Sequence, residues 1–154
     1  MSNHFKQGIN YAKYMAQNMT LLLQQEDLLR LHFEQSKHLT PTLLELVKLR
    51  VSQINQCAYC INMHTKEATA KGEQSERLFG LNAWRDMPMY TQSERLALAW
   101  AEQVSAGQSV DEALYQQVLA SFGEEDTVHL TLAVNAINSW NRLCKVFKPA
   151  FAVS

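Results

Sequence analysis

The chain has 154 residues, of which 47% are hydrophobic and 19% charged, and its formal net charge is −1. A chain of this length forms one domain, residues 1–154, that buries roughly two thirds of the surface exposed by its unfolded form. The balanced charge argues against nucleic-acid binding, and no apolar stretch is long enough to span a membrane. The three cysteines and a polar N-terminus without a signal-peptide core predict a cytoplasmic protein.

Helix-capping residues divide the first half of the chain into predicted helices. Residues 4–38 carry one or two helices, and Thr40 followed by Pro41 begins the next, which runs to about Ile54. After a break at Asn55 and Gln56, a helix starts at Cys57 and stops at Gly72. A further helix is predicted over roughly 75–84.

Similar capping residues divide the second half of the chain into predicted helices. Thr91 to Glu94 forms a capping-box pattern, and the helix that it starts ends near Gly107. A similar pattern from Ser109 to Glu112 starts a helix that Gly123 closes. Acidic residues then begin a long last helix, which extends to about Phe147. Apolar residues recur at helical spacing, as in Leu43, Leu44, Val47, Val51 and Ile54, and in Leu96, Leu98, Ala99, Ala101 and Val104. The sequence predicts an all-α domain of six to eight helices.

A short motif at a predicted helix start indicates redox chemistry. The motif is Cys57-Ala58-Tyr59-Cys60-Ile61-Asn62-Met63-His64. Because residues three and four apart are neighbours on a helix, Cys57 and Cys60 can close a disulfide and His64 can reach the sulfur of Cys60. A helix N-terminus and a nearby imidazole both lower the pKa of a thiol, and the thiolate is its reactive form. The spacing therefore predicts a redox-active pair.

The motif and its surroundings resemble the AhpD-like alkylhydroperoxidases of the carboxymuconolactone decarboxylase superfamily. Glu45 is followed, after eleven residues, by Cys57-x-x-Cys60-x-x-x-His64. The resemblance covers roughly residues 10–148, and it implies an all-helical fold that assembles into trimers or hexamers. Its central part spans about 41–107, and three downstream segments also carry it: 81–85, 94–102 and 135–142.

The resemblance implies a thiol peroxidase. In that pattern Cys60 attacks the hydroperoxide, and Cys57, the more exposed thiol, condenses with the sulfenic acid to form a disulfide. Glu45 and His64 form a proton relay that activates Cys60. An external dithiol, lipoyl or thioredoxin-like, reopens the disulfide, and the motif offers nothing for binding flavin, haem or nicotinamide. Tyr59 stands where the best-known members have a histidine, and since a phenol is a poor base at neutral pH, we expect it only to line the site.

The residues themselves leave alternatives open. The helix N-terminus favours ionisation of Cys57 and the imidazole that of Cys60; we expect the imidazole to outweigh a dipole effect of about 0.3–1 kcal/mol. A zinc site is compatible with the spacing, with Glu45, His32 or His38 as the fourth ligand, although no second ligand pair is present. Two other functions compete with the peroxidase: a lactone decarboxylase, which needs a base but no thiol pair, and a non-enzymatic redox-sensing or zinc-binding protein.

The other notable side chains are predicted to be structural. Cys144 is isolated on the last helix and packs as a small apolar residue. Apolar residues on two-sided helices such as 92–106 predict a homo-oligomer. The remaining polar candidates are expected to pair with neighbouring helices (Asn138, Asn141 and Arg142) or to be solvated or satisfied histidines (His4, His32, His38 and His129). The tryptophans, Trp84, Trp100 and Trp140, are expected in the core.

Overall fold

The computed structural model describes residues 8–151, and within this range it contains helices and no strand. The all-α prediction is confirmed. His4 and the first residues of the predicted N-terminal helix lie outside the described range. None of the helices in that range is both long and apolar enough to cross a bilayer. The α-helices are α1 (Ala16–Gln35), α2 (Pro41–Ile54), α3 (Ala58–Ala70), α4 (Ser75–Phe79), α5 (Gln92–Ser105) and α6 (Glu112–Phe147).

Helix α2 is the centre of the fold. It begins as predicted, with the Thr40 hydroxyl accepting a hydrogen bond from the Leu43 N–H at 3.1 Å. It packs against α3, α5 and α6, which cover it on most sides and bury even Glu45 and Lys48. A helix so enclosed can carry a polar side chain only where that side chain finds a partner. Ile54, the last residue of α2, continues the apolar spacing but is exposed, since the chain turns away immediately after it.

Two predicted helix boundaries were wrong. The helix expected over 75–84 is α4 followed by a 3₁₀ turn at Leu81–Ala83. The α-helix stops at Gly80, where the Met87 side chain packs so closely that a Cβ would collide with its sulfur. The cap predicted at Ser109 is Asp111, which accepts from the Leu114 N–H at 3.1 Å. Aspartate caps a helix as well as serine does.

Helix α6 is interrupted at the predicted position. Gly123 has φ 77° and ψ 174° inside an otherwise continuous helical run, which therefore consists of two segments joined at a sharp bend. Such a conformation is open essentially only to glycine. The hydroxyl of Thr127 donates to the Gly123 carbonyl at 2.6 Å and closes the first turn after the bend. The longer second segment then runs back along α2 and α3.

The apolar residues of 92–106, from which association was predicted, are covered within this chain. Helix α5 lies between α2 and α6, and this single chain already buries its apolar side chains. The exposed apolar surface lies elsewhere, above all on α1. Four leucines of that helix are between 47% and 66% exposed: Leu21, Leu23, Leu28 and Leu31.

Candidate redox site

A sharp turn between α2 and α3 positions the cysteine pair. Gln56 has a positive φ of 53°, and the Cys57 N–H donates to the Ser52 carbonyl at 3.0 Å, so the chain reverses within three residues. Cys57 is the N-cap of α3, and its sulfur accepts from the Cys60 N–H at 3.4 Å. Cys57 and Cys60 form a disulfide, with their Cα atoms 5.3 Å apart. The first turn of α3 thus places both sulfurs at a helix N-terminus, where the exposed amides stabilise a thiolate.

Glu45 and His64 meet in the buried space between α2 and α3. The Nδ1 of His64 lies 2.8 Å from Oε2 of Glu45, and both side chains are at least nine-tenths buried. The Lys71 ammonium group donates to the other carboxylate oxygen of Glu45 at 3.2 Å and also to Glu67 at 3.3 Å. The sequence did not single out Lys71. It follows His64 by seven residues, two helical turns, and this spacing on one helix face is the signal that could have found it.

The charges around Glu45 keep its carboxyl group ionised. Burial alone would raise its pKa, but the hydrogen bond and charge of His64, together with Lys71, outweigh burial and hold the pKa below its usual 4.5. Burial would likewise lower the pKa of Lys71, and its two carboxylate neighbours raise it instead. Because an ionised carboxylate can only accept hydrogen bonds, Nδ1 of His64 is the donor and Nε2 is left to accept a proton.

A cavity of about 260 Å³ connects the imidazole to one of the two sulfurs. Of the cysteine pair, it is Cys60 that lines this cavity, next to His64 and Tyr59. The Tyr59 ring also contacts Phe151, with its centroid 6.0 Å away. The walls are otherwise largely apolar, with two charged residues among them: Tyr11, Met19, Leu23, Glu26, Arg30, Met63, Trp140 and Cys144.

The expected difference in exposure between the two cysteines was wrong. Both Cys57 and Cys60 are 1% exposed in this chain. Cys57 is covered because its side chain caps α3 and faces the core that α2 and α6 complete. A partner molecule therefore reaches the pair only through the cavity at Cys60 or after a local movement of the chain.

Cys144 belongs to the site, and the prediction that it is isolated was wrong. Its sulfur and those of Cys57 and Cys60 all lie within 4.8 Å of one another. Cys144 is a free thiol, 6% exposed, and its sulfur is 4.0 Å from the Tyr11 hydroxyl oxygen. Burial raises the pKa of the Cys144 thiol and raises the pKa of Tyr11 to about 12. Cys144 follows the buried Ile137 by seven residues and the buried Asn141 by three, so all three lie on the inward face of α6. This spacing could have predicted that Cys144 faces the core.

A second polar cluster borders the cavity, and it was not predicted from the sequence. Lys48 donates to Oε2 of Glu26, and the Trp140 indole N–H donates to Oε1 of the same carboxylate at 2.9 Å. Trp140 is half-buried: it packs against the main hydrophobic core and also lines the cavity. Trp84 and Trp100 are buried as predicted, at 5% and 4% exposure.

The residues named for the alternative zinc site, Glu45, His32 and His38, are not in the cluster that contains the cysteine pair. Within residues 8–151, Cys144 is the metal-binding side chain that shares a cluster with Cys57 and Cys60. His32 instead pairs with Asp126 at 2.7 Å and stacks on His129, with ring centroids 3.5 Å apart. Histidines 32 and 129 form a separate group with Glu125 that could hold an ion.

Two buried asparagines of α6, Asn138 and Asn141, hold the turn that carries the cysteines. The Asn55 side-chain amide donates to both Asn138 and Asn141 at 2.8 Å, and Asn141 donates to the Ser52 hydroxyl at 3.0 Å. Their predicted role in pairing neighbouring helices is confirmed. These bonds fix the end of α2 against α6, and with it the start of α3.

Comparison with known proteins identifies relatives over nearly the whole chain. The model of the carboxymuconolactone decarboxylase family matches residues 25–103. The uncharacterised protein YdfG of Bacillus subtilis is 34% identical over 139 residues, covering 89% of this chain and 91% of that protein. A crystal structure from Agrobacterium tumefaciens, of a protein of unknown function considered a candidate antioxidant defence protein AhpD, is 33% identical with a TM-score of 0.86. That alignment covers 97% of this chain and 100% of the other.

A more distant structure shares the fold alone. It is an uncharacterised peroxidase-related protein from Silicibacter sp. TM1040, 19% identical with a TM-score of 0.77. The alignment covers 88% of this chain and 70% of that one. The helical arrangement described above is therefore retained where most side chains differ.

Proposed function

The chain belongs to the carboxymuconolactone decarboxylase family as an AhpD-like member, and on this premise we propose that it is a thiol-dependent peroxidase. One observation carries the proposal above the others. A cysteine pair at disulfide distance has one member, Cys60, in the same cavity as an imidazole whose Nδ1 is held by an ionised carboxylate. This arrangement provides a nucleophile, a resolving thiol and a base with a defined tautomer.

The proposed cycle begins with the dithiol form. Nε2 of His64 takes the proton of Cys60, and the thiolate attacks one oxygen of the hydroperoxide so that the O–O bond breaks. The alkoxide leaves as an alcohol after receiving that proton, and Cys60 becomes a sulfenic acid. The Cys57 thiol then condenses with it, which forms the disulfide and releases water. Glu45 stabilises the imidazolium that exists between the two proton transfers.

The cavity favours small organic hydroperoxides and a slender reductant. Its walls consist largely of aromatic, leucine and methionine side chains, so an alkyl group that enters the cavity is removed from water into apolar surroundings, which is favourable. Both sulfurs of the pair are 1% exposed, and a folded thioredoxin cannot present its thiol to so deeply buried a disulfide without movement of the chain. A reduced lipoyl arm on a partner protein is narrow enough to enter, and we expect it to be the better reductant.

Association of copies is part of the same proposal. The leucines of α1, including Leu21 and Leu28, leave a mostly apolar face exposed on the single chain. Apolar surface of this kind is commonly covered by a second copy. Sedimentation velocity of the purified protein would distinguish a trimer or hexamer from a monomer.

The test is stopped-flow oxidation of the reduced protein by hydrogen peroxide and by tert-butyl hydroperoxide. Cys60→Ser should abolish the fast reaction, while Cys57→Ser should retain the first oxidation step but turn over more slowly with a dithiol. Lys66→Ala, an exposed position on the same helix, serves as the matched control. Wild-type rates in both cysteine variants, or a wild-type rate no faster than that of a free thiol, would overturn the proposal.

A second candidate function follows from the family itself. The Glu45–His64 pair is complete without either thiol, and proton abstraction from a lactone needs a base alone. A lactone decarboxylase would keep its activity in the Cys57→Ser/Cys60→Ser double variant. An assay of that variant with a carboxymuconolactone separates the two functions.

A further inference from the structure

We propose that Cys144 is a second resolving thiol, able to take the place of Cys57 in forming a disulfide with Cys60. The inference rests on the peroxidase function proposed above and extends it to a residue on another helix. Its basis is the three-sulfur cluster, in which the Cys57, Cys60 and Cys144 sulfurs lie within 4.8 Å of one another.

The placement of the three sulfurs makes the alternative disulfide reachable. Helices α3 and α6 pack directly against each other, and Cys60 and Cys144 line the same cavity. The Cys60 and Cys144 sulfurs lie within 4.8 Å of each other and must approach to about 2.05 Å to bond, which requires a change of side-chain rotamer. The two residues are distant in sequence, so their bond would join α3 to α6, whereas the Cys57–Cys60 bond stays within one turn.

The protonation state of Cys144 suits a resolving role rather than peroxide attack. Burial holds the pKa of this thiol above its usual range, so it remains protonated at neutral pH while Cys60 reacts first. The second step then balances without any further reactant. The Cys144 sulfur attacks the sulfenic sulfur of Cys60, the S–O bond breaks, and the thiol proton leaves with the hydroxyl group as water.

The same cluster lets the two disulfides interconvert. The thiolate of Cys57 can attack the Cys60 sulfur of a Cys60–Cys144 disulfide, which restores the Cys57–Cys60 bond and releases the Cys144 thiolate, and this thiolate takes up the proton that Cys57 gave up. No electrons enter or leave in this exchange. Cys144 would then limit the time that Cys60 spends as a sulfenic acid, the form that excess peroxide converts irreversibly to sulfinic acid.

The decisive experiment uses the Cys57→Ser protein, in which Cys60 and Cys144 are the remaining cysteines. One equivalent of tert-butyl hydroperoxide should reduce its free thiols from two per chain to none, and peptide mapping should find an intramolecular Cys60–Cys144 disulfide. In Cys57→Ser/Cys144→Ala, Cys60 should instead accumulate as a sulfenic acid that dimedone traps. The proposal is overturned if Cys57→Ser gives the same dimedone adduct and Cys144 can still be alkylated.

A parallel oxidation with diamide separates this proposal from the peroxidase function. Diamide joins neighbouring thiols without a peroxide step, so a Cys60–Cys144 disulfide formed by diamide alone supports the thiol pairing and contradicts the peroxidase. If neither oxidant forms the bond, the pairing is wrong.

Should Cys57→Ser fail to fold, the oxidised wild-type protein offers the same test after incubation at pH 8. Alkylation followed by peptide mapping should then find that Cys57 is the free thiol in a minor fraction of the chains. If Cys144 is the free thiol in every chain, the exchange does not occur.

Discussion

Nδ1 of His64 lies 2.8 Å from Oε2 of Glu45, and this contact decides which nitrogen of the imidazole can accept a proton. The carboxylate remains ionised because His64 and Lys71 outweigh its burial. It therefore accepts from Nδ1–H and leaves Nε2 as the base. The pairing joins α2 to α3 and makes the base of the proposed reaction depend on a residue from a different helix.

We expect Glu45→Gln to slow the oxidation of Cys60 markedly. The amide can accept the same hydrogen bond, but it carries no charge to stabilise the imidazolium, and general-base catalysis contributes about 10²–10⁴ in rate. A loss of at least about tenfold in the second-order rate with tert-butyl hydroperoxide is the expected result. Glu67→Gln is the matched control, since Glu67 also pairs with Lys71 but lies on the surface. Equal rates in the two variants would show that Glu45 has no part in activating the thiol.

The same carboxylate should make stability depend on pH. A carboxyl group whose pKa is lower in the folded state stabilises that state above its ordinary pKa of 4.5. This contribution is lost as pH falls through the folded-state value. Wild type should therefore exceed Glu45→Gln in free energy of unfolding at pH 7, and the difference should shrink below pH 4.5. Urea unfolding at several pH values measures it, and a difference that grows on acidification would contradict the assigned charge.

The part of the site that depends on local geometry could be predicted from the sequence. Cys57, Cys60 and His64 share one helix, where spacing alone determines which side chains are neighbours. The resemblance added Glu45, which lies on the preceding helix. Cys144 could not be placed in this way, because its approach to Cys60 depends on how α6 crosses α3 and no pattern within either helix records that crossing. The burial of Cys57 was missed for the same reason.

Tyr59→His should increase the rate of reaction with hydroperoxide. Tyr59 lines the cavity beside Cys60, and a phenol with an ordinary pKa of about 10 is a poor base at neutral pH. An imidazole at this position would add a second proton acceptor within the site, and we expect a gain of about tenfold, modest for a positioned base. Tyr59→Phe should give no gain. If the histidine variant folds and reacts no faster than the phenylalanine variant, the tyrosine does not limit the chemistry.

The buried pair of Lys48 and Glu26 should be sensitive to the loss of one partner. Their side chains are only 3% and 9% exposed, and Glu26 also accepts from the Trp140 indole. Glu26→Leu leaves the ammonium group of Lys48 buried without its counter-charge, and we expect a loss of about 3–5 kcal/mol in the free energy of unfolding. Chemical denaturation measures that loss directly.

The double variant Glu26→Leu/Lys48→Met separates an uncompensated charge from lost packing. Replacing both partners removes the unpaired ammonium group, so most of the lost stability should return. The double variant should remain about 1–3 kcal/mol less stable than wild type, because the indole N–H of Trp140 still lacks its acceptor. Glu26→Gln keeps an acceptor for Trp140 and should fall between wild type and Glu26→Leu. A double variant less stable than Glu26→Leu would mean that the ammonium group is satisfied without Glu26. In that case the ion pair at the edge of the cavity would contribute little to the stability of the fold.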